Sequence, residues 1–200
     1  MADAAPTWYT AVPTMHQALL ARAGEAERGV AREVGLRLIR SSSASLPPSV
    51  LLEMEETFGV PVVEAYGMTE AAHQMCSNPF DLQKPGSVGV AAGPEVRIAH
   101  EAEYRLIEGV GEIVISGPNV TPGYESNPDA NAKNFFMAGG KRWFRTGDQG
   151  AFDGDGYLSL TGRLKEIINR GGEKISPLEV DSVLMDHPAV QQVVTFALPH

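Results

Sequence analysis

The chain is short of cysteine, of long apolar runs and of positive charge, and each shortage closes off a class of protein. A single cysteine, Cys76, stands among 200 residues, so no internal disulfide can form and nothing points to an oxidising compartment. A small, half-buried thiol is the expectation there. No apolar run approaches the ~20 residues that cross a bilayer. The opening Met1-Ala2-Asp3-Ala4-Ala5-Pro6 has neither the basic stretch nor the apolar core of a secretory leader. A cytoplasmic location is therefore the expectation, with a peroxisomal one open for a longer protein. With 16 Lys and Arg against 25 Asp and Glu, the formal net charge is −9, which argues against a broad nucleic-acid footprint or a polybasic membrane patch. A small anionic ligand stays open. The rest of the composition is ordinary: 43% apolar and 20% charged residues suit one or two globular domains with a core, and argue against disorder or a fibre.

Other absences are absences of motif. Asp153 and Asp155 before Gly156 suggest a calcium loop, but that register puts Ala151 first and Gly162 last, and neither can coordinate calcium. Gly139-Gly140-Lys141-Arg142 falls short of a phosphate loop, with Phe135 where the first glycine belongs and Arg142 where Ser or Thr belongs. The histidines, His16, His73, His100, His187 and His200, show no close pairing and no cysteine partner, which argues against structural zinc. No Gly-x-Ser-x-Gly elbow occurs. Asn119-Val120-Thr121 matches a glycosylation sequon, read here as chance because no leader is in view. There is no internal repeat and no low-complexity segment.

Apolar spacing gives the chain three textures, and the expected fold class is α/β plus β. Residues 1–88 alternate helix and strand signals: Met15, Ala18 and Leu19 at helical spacing after Pro13-Thr14, then Leu36 to Ile39 as a buried strand. Pro47-Pro48 opens a second helix with Leu51, Met54 and Phe58 on one face and Gly59 closing it, and Val60 to Tyr66 reads as the next strand. That order suggests a layered sheet whose ligands gather at the carboxyl ends of its strands. Residues 89–164 are β-rich, with Val96-Arg97-Ile98, Glu112 to Ile115 and Tyr157 to Leu160 as the best strands and a turn at Asp153-Gly154-Asp155-Gly156. Residues 165–200 return to α/β. Ser176-Pro177-Leu178-Glu179 is a capping box leading Val180, Val183 and Leu184 down one face to His187-Pro188, and Val190 to Leu198 reads as a strand.

Three polar clusters lie at the ends of apolar runs. Tyr66-Gly67-Met68-Thr69-Glu70 follows a buried strand, where a turn can present an aromatic face, a hydroxyl, backbone N–H groups and a carboxylate, a set that suits a nucleotide and its metal. An ordinary strand-end turn with a solvated Glu70 accounts for the same residues. In Phe144-Arg145-Thr146-Gly147-Asp148, Asp148 could accept hydrogen bonds from both hydroxyls of a ribose, or simply form a turn after Gly147. The third cluster, Gly162 to Ile175, is basic and glycine-containing at the junction of the second and third segments. It suits either a phosphate ligand or a charged surface hairpin.

Together, and joined by Lys84-Pro85-Gly86-Ser87-Val88-Gly89 and Gly111-Glu112-Ile113, these clusters resemble the adenylate-forming superfamily of acyl-CoA synthetases, luciferases and nonribosomal adenylation domains. The resemblance runs over essentially the whole chain. It implies the last part of a large adenylation domain, α/β layers (1–88) followed by a distorted barrel subdomain (89–164), and the start of a small mobile C-terminal α+β domain (165–200). It also implies roles. Ser43-Ala44-Ser45 would line the adenine and acyl pocket, with Ser42 and Ser43 toward the acid. Glu64, Ala65, Tyr66, Gly67, Met68 and Thr69 would surround the nucleotide, with Tyr66 near the adenine and Thr69 on the α-phosphate. Glu70 would help hold Mg²⁺, and Asp148 and Arg163 the ribose. Lys165 would be the hinge, and Asn169 to Lys174, with Gly171 and Gly172 toward CoA, would approach the phosphate or the pantetheine channel in one or other rotation state.

Within the superfamily, residues 65–75 and 169–177 look most like the oxalate–CoA ligase branch. His73 would then be a donor to a short dicarboxylate, while a medium-chain or aromatic acid is the competing substrate class. The implied chemistry is ATP-dependent formation of an acyl-adenylate and then a CoA thioester. By the same resemblance, a Ser/Thr/Gly-rich phosphate loop would precede residue 1 and the lysine of the adenylation step would follow His200. The chain is therefore expected to be an internal fragment with little ligase activity alone. A non-catalytic AMP- or ATP-binding module and a truncated product without function are the rival expectations.

Overall fold

A computed structural model of the chain describes residues 5–23, 35–187, 189–190 and 192–198. Two sheets carry most of it. In the first, β1 (Trp8–Ala11), β2 (Leu38–Ser41) and β3 (Val62–Tyr66) run parallel, and β3 continues through antiparallel β4 (Cys76–Ser77) to β5 (Val90–Ala91). Every residue of β3 is buried, as expected of a parallel strand covered on both faces. Helix α1 (Pro13–Leu20) and helix α2 (Pro48–Phe58) both begin with proline at the first helical turn, where its missing N–H costs nothing. As the spacing predicts, α2 buries Leu51, Met54 and Phe58 against Ile39 and Val62, and Gly59 ends it at φ 65°.

Three expectations for this region shift. Strand β2 runs Leu38–Ser41, two residues later than read, because its register is set by pairing Trp8 with Leu38 while Leu36 packs into the core from the preceding turn. Strand β3 begins at Val62: Pro61 lends its carbonyl to Ile39 N but has no N–H for the ladder. On α1 the buried positions are Pro13 and His16, while Met15 and Ala18 face out. His16 takes the inner position because its ring packs 5.8 Å from Tyr9, and burial lowers its pKa so that it sits there neutral.

The second sheet is antiparallel, barrel-like and nearly closed. It has the order β11 (Leu158–Arg163), β10 (Lys141–Phe152), β8 (Gly111–Ser116), β6 (Glu95–Ala99), β7 (Leu106–Ile107), with β9 (Phe135–Ala138) also on β10. Helix α3 (Pro128–Asn134) precedes β9, and its Asn127 cap accepts from Ala130 N. Strand β10 is bent, since its register shifts on both sides of Gln149. The sheets share one core: Tyr66, Met75 and Cys76 pack with Val96, Ile113, Ile115 and Phe144. Cys76 is therefore wholly buried rather than half-buried, and burial pushes its thiol up to about 12, which makes it inert.

Past Lys165, β12 (Ile168–Arg170) and β13 (Glu173–Ile175) form a hairpin, followed by helix α4 (Pro177–Met185). Ser176 caps α4 as expected, its Oγ accepting from Glu179 N at 3.1 Å. The expected apolar face is not covered: Val183 and Leu184 are exposed. Nor do the described residues of 190–198 form a strand, and Val194, Phe196 and Leu198 stand in solvent. A strand needs a neighbouring edge for its N–H and C=O groups, and no strand among the described residues lies beside this one. Pro188, Gln191 and His200 of the expected elements lie outside the described residues. Among the described residues no helix is long and apolar enough to cross a membrane.

Candidate functional site

The centre of the site is the turn that follows β3. After Tyr66 the chain passes Gly67 and Met68, makes a 3₁₀ turn over Thr69–Ala71, and returns through Ala72 and His73 at φ 49° and 74°. Backbone bonds tie the turn to itself, from His73 N and Ala71 N to Met68 O and from Met75 N to Tyr66 O. A Cβ on Gly67 would lie 1.6 Å from the His73 carbonyl oxygen, so only glycine fits. Asn119, from the loop after β8, donates its Nδ2 to Ala71 O and Gln74 O and so fastens the turn to the second sheet.

Tyr66 joins two of the sequence clusters. Its hydroxyl donates to Asp148 Oδ2 at 2.6 Å, and Arg163 Nε lies 3.3 Å from Asp148 Oδ1. Asp148 sits in β10 directly opposite Arg163 in β11, with its own N–H donating to Thr146 Oγ1. The turn-forming alternative for Asp148 does not hold. Both partners of the Tyr66 pair are buried. Burial raises the Asp148 carboxyl above its usual range, against the Tyr66 hydrogen bond and Arg163. Burial, then the Asp148 charge, pushes the Tyr66 phenol well above its ordinary value.

Thr69 is exposed, and Glu70 is half-buried with Oε1 accepting from the Tyr124 hydroxyl at 2.8 Å. The Glu70 main-chain carbonyl accepts from Thr121 N. Glu70 Oε2 has no hydrogen bond from the described residues. His73 is exposed, with no side-chain hydrogen bond among them. Ala65 pairs with Ser77 across β3 and β4.

The 42–46 loop lies at the end of β2. Ser42 is buried, Ser43 adopts φ 73°, and Ser43, Ala44 and Ser45 are exposed. Leu46 N donates to Glu64 Oε1 at 2.9 Å. Burial pushes the Glu64 carboxyl up to about 7 despite that bond, and its Oε2 has no partner, like Ser41 Oγ opposite it in register. A cavity of about 730 Å³ opens beside this loop, lined by Pro13, Ala44, Ser45, Leu46, Ser176 and Glu179 among others. Tyr66, Glu70 and Asp148 do not line it.

The third cluster is a charged hairpin. Gly171 and Gly172 form its tip at φ 63° and 97°, and Asn169 Oδ1 accepts from Gly172 N. Lys165 is exposed, 3.9 Å from Glu166. Lys174 reaches Glu101 Oε1 at 2.8 Å, and Glu101 also accepts from Gln149, which in turn accepts from Thr161. The structure thus gathers Tyr66, Asp148 and Arg163. It sets Lys174 against Glu101, with no hydrogen bond to Thr69 or Glu70 among the described residues.

Sequence reasoning missed Arg40, Asn119 and Tyr124. Tyr124 follows a Thr-Pro-Gly turn, and no spacing rule links it to Glu70, 54 positions earlier. Arg40 offered a weak signal, as a cation directly after the apolar pair Leu38-Ile39.

Comparison with known proteins places these residues in context. The family model "AMP-binding enzyme" matches residues 1–125. An oxalate–CoA ligase of Arabidopsis thaliana is 54% identical over 96% of this chain, and one of Saccharomyces cerevisiae 50% identical over 82%. The chain spans only 37% and 30% of those two proteins. The ATP-bound structure of MatB from Rhodopseudomonas palustris superposes with a TM-score of 0.87 at 32% identity, over 98% of this chain and 39% of that one.

Proposed function

From the premise that the chain belongs to the AMP-binding enzyme family, of AMP-forming acid–CoA ligases, we propose that it carries the adenylate-holding part of a ligase whose acid is a short dicarboxylate such as oxalate. The observation that carries this reading is the meeting of Tyr66, Asp148 and Arg163 across two sheets at the end of β3. In the reaction, a carboxylate oxygen of the acid attacks the α-phosphorus of ATP and pyrophosphate leaves. The CoA sulfur then attacks the acyl carbon and AMP leaves.

Asp148 accepts from the ribose hydroxyls with the lone pairs that Tyr66 and Arg163 leave open, and Tyr66 holds the carboxylate in place for them. The exposed Thr69 hydroxyl meets the α-phosphate. Mg²⁺ enters with ATP as part of the substrate and offsets charge at the phosphates. A phosphate-borne Mg²⁺ needs only one or two protein carboxylates, which suits Glu70 with its open Oε2. Among the described residues no group of three or more His, Cys, Asp and Glu could hold a resident metal. Lys165 serves as the hinge, and the hairpin carrying Gly171, Gly172 and Lys174 turns about it to face CoA. The Lys174–Glu101 pair is exposed, and exposed pairs are weak enough to exchange on such a turn. Oxalate as the acid draws on the two named ligases at 54% and 50% identity and on the open His73 side chain.

Calorimetric titration of the chain with AMP tests the reading. Saturable binding is expected, weakened about tenfold by Asp148→Asn, the loss of one charge-assisted bond. Absence of saturable binding overturns it. Oxalate-dependent exchange of pyrophosphate into ATP, measured against octanoate and benzoate, then separates a ligase from a nucleotide-binding module and ranks the acids.

A further inference from the structure

We propose that Arg40 recognises the second carboxylate of the acid and so selects short dicarboxylates over monocarboxylates. The inference rests on the adenylate reading above and names a residue that fixes its substrate class. Arg40 lies near the carboxyl end of β2, where ligands of parallel sheets collect. Its Nη1 donates to Ser42 Oγ at 2.9 Å and to Thr10 Oγ1 at 3.5 Å, and its Nη2 to Gln74 Oε1 at 3.1 Å.

All of these acceptors are neutral. Among the described residues no carboxylate pairs with Arg40, whereas Arg145 meets Glu112 at 2.6 Å and Arg163 meets Asp148. Partial burial works against the Arg40 charge, and no described residue supplies the counter-ion. A guanidinium carries five N–H donors in a planar fork that fits a carboxylate. The neutral bonds leave Nε–H and one Nη2–H uncommitted.

Position points the same way. Ser42 opens the 42–45 loop, and Gln74 is the neighbour of His73, so the guanidinium bridges the two segments assigned to the acid. Both segments hold non-glycine residues in the left-handed region, Ser43 in one and Ala72 and His73 in the other. Such backbone is kept where the surroundings fix it, commonly at ligand sites. A charge held between these two segments would discriminate by the distal group and leave the reacting carboxylate free.

The test is calorimetry on the full chain with AMP and two stable adenylate mimics, the 5′-O-(N-oxalyl)- and 5′-O-(N-acetyl)sulfamoyl adenosines, which differ in the distal carboxylate. The oxalyl compound is expected to bind at least about tenfold more tightly, the margin of one charge-assisted bond. That ratio falls to about one in Arg40→Ala. It also collapses in Gln74→Glu, which offers Arg40 a carboxylate of its own and decides the matter if Arg40→Ala fails to fold. A ratio near one in the unsubstituted chain, with AMP still bound, overturns the role of Arg40 and leaves the adenylate reading standing. A ratio that survives Arg40→Ala does the same. If neither AMP nor either mimic binds, the adenylate reading fails and the inference with it.

Discussion

Arg40 and Arg145 are both partly buried, yet Arg145 lies against the Glu112 carboxylate while, among the described residues, Arg40 hydrogen-bonds the side-chain oxygens of Ser42, Thr10 and Gln74. The carboxylates divide in the same way. Glu112 accepts from Arg145 and from Gly147 N. Glu64 holds Leu46 N on one oxygen and nothing on the other. Around Glu112 the antiparallel sheet thus settles its buried charges internally, whereas at Arg40 and Glu64 the ends of the parallel strands leave theirs open. Satisfied networks rigidify a fold, whereas open polar groups cost stability and persist where a ligand completes them.

The largest expected effect strikes the settled side. Glu112→Ala strands the Arg145 guanidinium and should cost about 3–5 kcal/mol, read as a lower urea midpoint; a loss under about 1 kcal/mol would put the two regions on the same footing. On the open side, the sign reverses. The Glu64 carboxyl titrates at about 7 in the folded chain against an ordinary value of 4.5, so the folded state holds a proton that the unfolded state has lost. Its folding contribution is therefore intact below about pH 4.5 and drains away as pH rises to about 7. Glu64→Gln, neutral at every pH, should stabilise the chain by about 3 kcal/mol at pH 8 and by little at pH 4.5. Thermal melts at both values check this, and an equal effect at both would remove Glu64 from the contrast.

Tyr66→Phe falls between the two regions, because it removes the donor that links β3 to Asp148 in β10. A loss of about 2 kcal/mol in urea titration is expected, with the Asp148 carboxyl moving further up. An unchanged midpoint would mean that water replaces the hydroxyl. The smallest effect is Ser176→Ala, a cap outside both regions, at about 1 kcal/mol by thermal melt. It calibrates what an ordinary local bond is worth in this chain.

Local signals in the sequence carried through to the structure. The capping box at Ser176, the glycine stop at Gly59, the buried run of β3 and the turn after it each depend on neighbours within a few residues. What failed depended on distance. The inward face of α1 is decided by Tyr9 beside His16, and periodicity among Met15, Ala18 and Leu19 cannot see that. The tail from Val190 has the composition of a strand and no edge to pair with. In the candidate site the three clusters were visible as separate stretches, but the Tyr66–Asp148 bond spans 82 positions and Arg40 meets Gln74 across 34. Neither separation has a period, so only the folded arrangement reveals them.

The fit between Gly67 and His73 has a mechanical side. With no clearance for even a methyl group between them, the end of β3 and the returning loop are packed as one piece, and Gln74, next along the loop, accepts a hydrogen bond from Arg40. A shift of the end of β3 that kept these contacts would reach Arg40 by way of Gln74.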